Sequence, residues 1–415
     1  MEGDSITKIE GHGRLRVDWK KNKVILEVHE GERLFEGIVV GRPATEAAWI
    51  TARICGVCPT AHNLCALKAV EDALGIIPDP TTILLRQLLL SAQMIQSHTL
   101  HLYFLAFPDY LGIDSGLELK KKHPKYFRAA LTLKEVSDEI AKVVGGRATH
   151  PTTTTVGGFH KTPSANQLKE LKRGIQEALR EAESTAHLAA SLTYPEFKTN
   201  LLFLSQVGKK AHFNIYETVK TQGSDGTTWL IKDYKKMITE EIRRYSTAKF
   251  GFYQKKPVMV GALARLAIQG GNLNPKAKRF LGRAKIDFQN PFHNNLAQAV
   301  ELVHFTEEAL ELIDRITEAP KPANPKGLTG LKRPKTGIGA LEAPRGGLYH
   351  EYTINERGSI TKANIITPTV QNLGSLEKTA QALIDQTKNL GKERRAKLLE
   401  MLVRAYDPCI TCSVH

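Results

Sequence analysis

Four of the chain's five cysteines stand in two Cys-x-x-Cys pairs at opposite ends of 415 residues: Cys55 and Cys58 in RICGVCPTAH, Cys409 and Cys412 in DPCITCSVH. Four thiolates form a donor set that soft transition metals select over calcium or magnesium. A zinc ribbon spaces its two pairs roughly 15–20 residues apart. Here more than three hundred residues intervene, so a shared site would clamp the first part of a large fold to its last. Three chemistries compete for these sulfurs. A structural zinc site would be closed and tetrahedral, with no demand on its flanks. Disulfides fit poorly, because cysteines are sparse and no apolar signal region follows Met1, which points to a reducing compartment. A redox centre of nickel or iron is the third, since thiolates leave room for open metal positions.

The flanks decide between them. Arg53-Ile-Cys55-Gly-Val-Cys58-Pro-Thr-Ala-His62 and Asp407-Pro-Cys409-Ile-Thr-Cys412-Ser-Val-His415 resemble the two signature motifs of the nickel–iron hydrogenase large subunit. Ile9-Glu10-Gly11-His12, Phe35-Glu36 ahead of Arg42, Ala343-Pro344-Arg345-Gly346 and Thr367-Pro368-Thr369 follow in that family's order. The stretches from Ser97, Asn290 and Leu402 look like the multimeric cytoplasmic branch that includes archaeal sulfhydrogenases. The resemblance covers essentially the whole chain.

It implies heterolytic cleavage of dihydrogen, with each residue in a definite role. Cys55 and Cys409 would be terminal nickel ligands. Cys58 and Cys412 would bridge to an iron carrying one carbonyl and two cyanides, and Cys409 would be the first proton acceptor. Glu10 matches the proton-relay glutamate; a carboxylate can serve there if burial raises its pKa toward neutrality. Arg345 matches the arginine over the open metal site, and Asp407 and Asp109 match the carboxylates that hold it. Thr369 would donate to a cyanide, although PTVQN stands where many members have a Thr-Trp pair. Glu36 and His415 correspond to side chains on a magnesium (or iron) ion, which keeps waters and needs few protein ligands. His62 reads as a hydrogen-bond partner of a ligand rather than a ligand. A precursor tail beyond His415, removed by a dedicated protease, belongs to the same family pattern.

Other features bound the reading. Cys65 lies on the apolar side of its helix and reads as a core thiol. His98 and His101 are three apart on a helix without the carboxylates of a metal motif, so packing is expected. With no further cysteines, the chain has none of the roughly four thiolates an iron–sulfur cluster takes. Electrons must leave through an iron–sulfur small subunit, and beyond it flavin or iron–sulfur electron-transfer subunits are expected. The terminal acceptor is not written here, for no GxGxxG opens a matching helix. The net charge is +15, but aromatics are not interleaved with the basic residues as in a nucleic-acid face. A solvated surface or a docking face for acidic partner subunits fits better. No uninterrupted apolar run of 18 residues exists, so no transmembrane segment is expected, and the localisation expected is cytoplasmic.

These residues need elements to hold them. Leu15, Val17 and Trp19, then Val24, Leu26 and Val28, alternate with polar residues around a Lys-rich turn and predict a β-hairpin within 12–30. Helices are predicted over Thr60–Leu74 (stopped by Gly75), Ile83–Phe107, Lys134–Val144, Ser164–Leu192, Leu296–Thr317 and Leu376–Ala405. Ala319 to Gly337, rich in Pro, Lys and Gly, reads as a surface loop. The expected fold is mainly α with a small N-terminal β-sheet (α+β). It is a long-helix bundle forming one domain over 1–415, with a helical core at 60–405 and the C-terminal metal motif at 407–415. Two alternatives remain for comparison: a structural zinc protein, and a non-catalytic scaffold like the quinone-pocket subunit of respiratory complex I, whose members lack the four thiols.

Overall fold

The structure is a computed structural model that describes residues 2–209, 212–323, 325 and 332–415. Four long helices, Pro80–Leu100, Pro124–Gly145, Ala165–Ser191 and Asn294–Glu318, pack side by side. Their starts follow from local chemistry. Asp79 caps the Pro80 helix by accepting from Thr81 N and Thr82 N, each at 3.0 Å, while Pro80 supplies a first-turn residue that needs no amide partner. Ser164 and Gln167 close a reciprocal capping box on the Ala165 helix. Its Leu168, Leu171, Ile175, Ala178, Leu179 and Ala182 recur at helical spacing and are buried.

The Pro80 helix does not run regularly to Phe107. After Leu100 it widens into a π-helical stretch, His101–Ala106, before a last turn at Phe107–Leu111. Such bulges concentrate at functional sites, and this one carries His101 toward the C-terminal motif. The helix expected from Lys134 starts ten residues earlier, at Pro124, where proline again marks the first turn. The single helix expected over Leu376–Ala405 is two, Pro368–Gln386 and Lys392–Ala405, parted around Gly391. Thr387 and Gly391 are poor helix formers between good ones.

The N-terminal hairpin is present as Gly13–Asp18 against Lys23–Val28, and Glu2–Ser5 adds a third antiparallel strand. β-Structure extends well beyond it. Lys335–Ala343, Gly346–Ile354 and Ile360–Ile366 form an antiparallel sheet, with smaller sheets over Leu204–Leu230 and Ile238–Tyr253. Within the loop expected from Ala319 to Gly337, residues 324 and 326–331 lie outside the described residues, and from Lys335 the chain is already a strand. That strand lies directly on the Pro59–Leu74 helix. A β-carbon at Gly339 would fall onto the Cys65 carbonyl, and one at Gly337 onto the Ala69 carbonyl. Glycine is required at both places for backbone to meet backbone. Among the described residues, no helix is long and apolar enough to cross a membrane.

Candidate metal centre

Both cysteine pairs sit at starts of helices. Cys58 stands at the N-cap position of the Pro59–Leu74 helix, and Cys409 precedes the short turn Ile410–Ser413. The two ends meet in the core. Cys55 Sγ lies 3.3 Å from Cys409 Sγ, Cys58 Sγ 3.2 Å from Cys412 Sγ, and Cys409 Sγ 2.9 Å from Cys412 Sγ. All four sulfurs fall within 4.8 Å of one another, and all are buried. Amides of Val57 and Cys58 donate to Cys55 Sγ at 3.2 and 3.3 Å. Hydrogen bonds from Cys409, Cys412 and Cys58 pull the Cys55 thiol well below its usual range, whereas burial pushes Cys409 and Cys412 well above theirs. Sulfurs this crowded share little negative charge unless a cation compensates it. The donor set therefore fits a soft metal ion and demands its charge.

The N-terminal segment lies against the second pair. Glu10 pairs with Cys409 as an isolated parallel bridge, and Ile410 N donates to Glu10 O at 3.1 Å. Gly11 permits this approach: it has φ +80°, and a β-carbon would stand 2.7 Å from Ile410 Cβ. The Glu10 carboxyl accepts from Thr411 N at 3.2 Å and from the Thr411 hydroxyl, close enough to the Cys409 side chain for that group to lower its pKa. Burial and then the negative charge of Cys55 raise its pKa, with those hydrogen bonds pulling the other way.

Arg345 stands in the two-residue turn Pro344-Arg345 between paired strands. Its Nε donates to Asp407 O at 2.7 Å and Nη2 to Asp407 Oδ1 at 2.8 Å, while Nη1 is 3.4 Å from Ser97 Oγ. With Cys58, His62, Thr369, Cys409 and Cys412 it lines a small cavity beside the sulfurs. The Thr369 hydroxyl accepts from Cys409 N at 3.0 Å and retains its own proton to donate. His62 Nε2 is 3.7 Å from Cys412 Sγ. Burial holds its pKa down to about 3, so the ring is neutral. Cys65 is elsewhere, its thiol donating to Gly339 O at 3.3 Å and pushed up to about 12 by burial.

Asp109 corrects the expectation placed on it. Its carboxylate binds Lys8 Nζ at 2.5 Å and Arg404 Nη1 at 2.7 Å, not Arg345. The last turn of its helix faces the Lys392–Ala405 helix, where the Arg404 side chain reaches it first. The second support of Asp407 is Gln298, whose Nε2 donates to Asp407 Oδ2 at 2.9 Å and whose Oε1 meets His101 Nδ1 at 2.5 Å.

Glu36 and His415 converge on one residue. Ile365 N donates to Glu36 Oε1 at 2.6 Å, and His415 Nε2 lies 2.7 Å from Ile365 O. Sequence reasoning did not find Gln298, Ser97, Ile365 or Arg265. Arg265 is fully buried, pairs with Glu301 and Glu342, and donates to the carbonyls of Ala343 and Pro344 at 2.9 and 2.8 Å, thereby holding the turn that carries Arg345. The available signal was His98 and His101 in a largely buried helical stretch: His98 Nε2 meets Glu301 Oε2 at 2.8 Å and His101 meets Gln298.

The family model described as nickel-dependent hydrogenase matches residues 33–128 and 196–415. Sulfhydrogenase 1 subunit alpha of Pyrococcus furiosus is 37% identical, covering 99% of this chain and 97% of its own. Sulfhydrogenase 2 subunit alpha of the same organism is 32% identical, covering 100% of this chain and 98% of its own. The crystal structure of an NAD+-reducing NiFe-hydrogenase in the H2-reduced state superposes with a TM-score of 0.88 at 24% identity, covering 99% of this chain and 98% of that one.

Proposed function

This chain belongs to the nickel-dependent hydrogenase family as a catalytic subunit, an oxidoreductase acting on dihydrogen, and from that premise we propose how its residues divide the work. Cys55 and Cys409 would hold nickel, and Cys58 and Cys412 would be shared between nickel and iron. Bound there, a nickel–iron pair with one carbonyl and two cyanides supplies the Lewis acidity and redox capacity that heterolytic cleavage of dihydrogen needs. Cys409 would take the proton, because a sulfur bound to nickel alone would keep lone pairs that a shared one has given up. Glu10 receives it next. Its backbone pairing with Cys409 supports this, as does a pKa raised by burial, which brings a carboxyl nearer the working range of a relay. Arg345, fixed on Asp407 by two hydrogen bonds, lines the cavity, where its planar guanidinium would polarise dihydrogen and could donate to a cyanide nitrogen. Thr369 is the second cyanide donor. Glu36 and His415, which converge on Ile365, would hold a magnesium or iron ion that ties the C-terminal motif to the N-terminal region.

The protein works with an iron–sulfur small subunit, and further flavin or iron–sulfur subunits complete the electron path. Apolar side chains favour one docking face. Leu34, Ile38 and Val40 are 60, 45 and 45% exposed and Trp49 is 36% exposed. They sit on and beside two touching short helices, Phe35–Val39 and Ala47–Thr51, the second of which leads straight to Cys55. An obligate partner covers such a surface. We place the complex in the cytoplasm, where free thiols persist.

The four converging sulfurs carry this reading. Metal analysis of the purified complex, with an infrared spectrum, tests it. Nickel with iron and carbonyl and cyanide stretches are expected; zinc alone would sink the proposal.

A further inference from the structure

Beyond Cys412 runs a row of buried polar side chains that the reaction described above leaves unused. His62 Nε2 is 3.7 Å from Cys412 Sγ, His62 Nδ1 is 3.1 Å from His350 Nε2, and His350 Nδ1 is 2.6 Å from the Tyr352 hydroxyl. His62, His350 and Tyr352 are 1, 0 and 0% exposed. The fold makes the row. His350 and Tyr352 are two apart on the Gly346–Ile354 strand and so share a face, and that strand packs on the Pro59–Leu74 helix that carries His62.

Every ring nitrogen in the row has one partner, so the direction of one hydrogen bond dictates the next. A neutral imidazole has a single N–H, and His62 and His350 meet each other, a hydroxyl and a sulfur rather than a carboxylate, a setting for two neutral rings. A thiolate bound to metal only accepts. His62 then donates from Nε2, which leaves Nδ1 bare. That nitrogen requires a donor from His350 Nε2, which leaves His350 Nδ1 bare in turn, and the Tyr352 hydroxyl must donate to it.

We infer that His350 and Tyr352 are positioning residues that fix the tautomer of His62 and thereby aim a hydrogen-bond donor at the Cys412 sulfur. The inference rests on Cys412 being a metal ligand, as proposed above. Hydrogen bonds to a ligating sulfur withdraw electron density from it and tune the metal's potential. A metal so relieved of charge donates less into a bound carbonyl, whose stretch rises.

The test uses the complete metallated complex with three substitutions. Tyr352→Phe removes the terminal donor with little change of shape, His350→Leu removes the middle link, and His350→Gln retains an amide able to donate to His62 Nδ1. Nickel and iron content and the infrared bands are measured together. Expected are unchanged metal content in all three, a carbonyl stretch shifted to lower wavenumber in Tyr352→Phe and His350→Leu, and the wild-type position in His350→Gln. Should His350→Leu fail to fold, Tyr352→Phe still decides. Bands unmoved in Tyr352→Phe with full metal content would overturn the inference. A wild-type complex with no carbonyl or cyanide bands would instead overturn the proposed centre, and the inference with it.

Discussion

At the scale of single residues, the site divides between groups that hold charge and groups that move protons. Cys409 is in both sets, since it meets Cys55 and Cys412 through sulfur and Glu10 through its backbone and side chain. Serine in its place offers a harder oxygen with a far higher pKa. Cys409→Ser is expected to lower hydrogen turnover by more than the roughly 10–100-fold that removing even an outer partner of a metal ligand costs. A hydrogen-uptake assay on the purified complex checks this, and substantial turnover would remove Cys409 from the mechanism. Glu10→Gln is a cleaner probe, because the amide still accepts from Thr411 but cannot carry a proton. Exchange of deuterium gas with solvent should fall by about 10²–10⁴-fold, the usual contribution of a positioned acid–base group, while nickel and iron stay bound. Near-normal exchange would mean the proton leaves by a route other than Glu10.

Elements set how firmly these residues are held. The Pro59–Leu74 helix carries Cys58 and His62, and the Lys335–Ala343 strand that leads to Arg345 lies against it at backbone distance. Gly339→Ala would push that strand off the helix. A cost of about 1–3 kcal/mol or more, typical of overpacking, should appear as a lowered unfolding temperature together with reduced metal retention. A variant as stable and as well metallated as wild type would show that the two elements are not rigidly joined. The Asn294–Glu318 helix offers a pH-dependent test remote from the metals. Glu308 accepts from Ser91 Oγ at 2.8 Å and lines a pocket with Lys68, Gln87 and Arg315. Burial raises its pKa from 4.5 to about 7. The fold therefore prefers the neutral acid. That stability is fully present below about pH 4.5 and is lost as pH rises toward 7. Because the side chain borders solvent, the effect is trimmed to on the order of 1–2 kcal/mol. Glu308→Gln should flatten the stability profile between pH 5 and 8, leaving the variant the more stable at pH 8. Parallel wild-type and variant profiles in thermal melts would refute the assignment.

For the whole molecule, the consequence of one metal-sized cluster of buried sulfurs is electrical. The centre joins both ends of a 415-residue chain inside its core, and the one remaining cysteine, Cys65, is a buried thiol occupied with Gly339 O. This chain thus has no thiols with which to build a conducting row of clusters. Purified alone, even fully metallated, it should reduce a soluble acceptor poorly with hydrogen. A smaller iron–sulfur subunit should co-purify, bound over Leu34, Ile38, Val40 and Trp49. Paired measurements of hydrogen-dependent dye reduction with and without that subunit decide the matter. An active isolated chain would refute the electron path inferred from the cysteine count.

How much of this was legible before folding follows from how far each signal reaches. The two Cys-x-x-Cys pairs stand out by residue type and spacing, whereas Glu10, Arg345 and His415 were legible only through the family motifs around them. The bundle helices likewise announce themselves through local periodicity and caps such as Asp79-Pro80 and Ser164. Local signals also explain the errors, since a proline at position 124 and a weak Thr-Gly break near 391 moved helix ends that periodicity alone placed elsewhere. Partnerships between distant side chains have no local signature. Asp109 and Gln298 are both polar residues on helices, and only the packing of those helices sends Asp109 to Arg404 and Gln298 to Asp407. The same holds for Arg265 under the Ala343-Pro344 turn and for the row from His62 to Tyr352. Residue chemistry along the chain determined which atoms could bind metal and move protons. Which buried group faces which was decided only when helix and strand closed on each other, because a hydrogen bond is fixed by distances of about 3 Å that sequence separation does not encode.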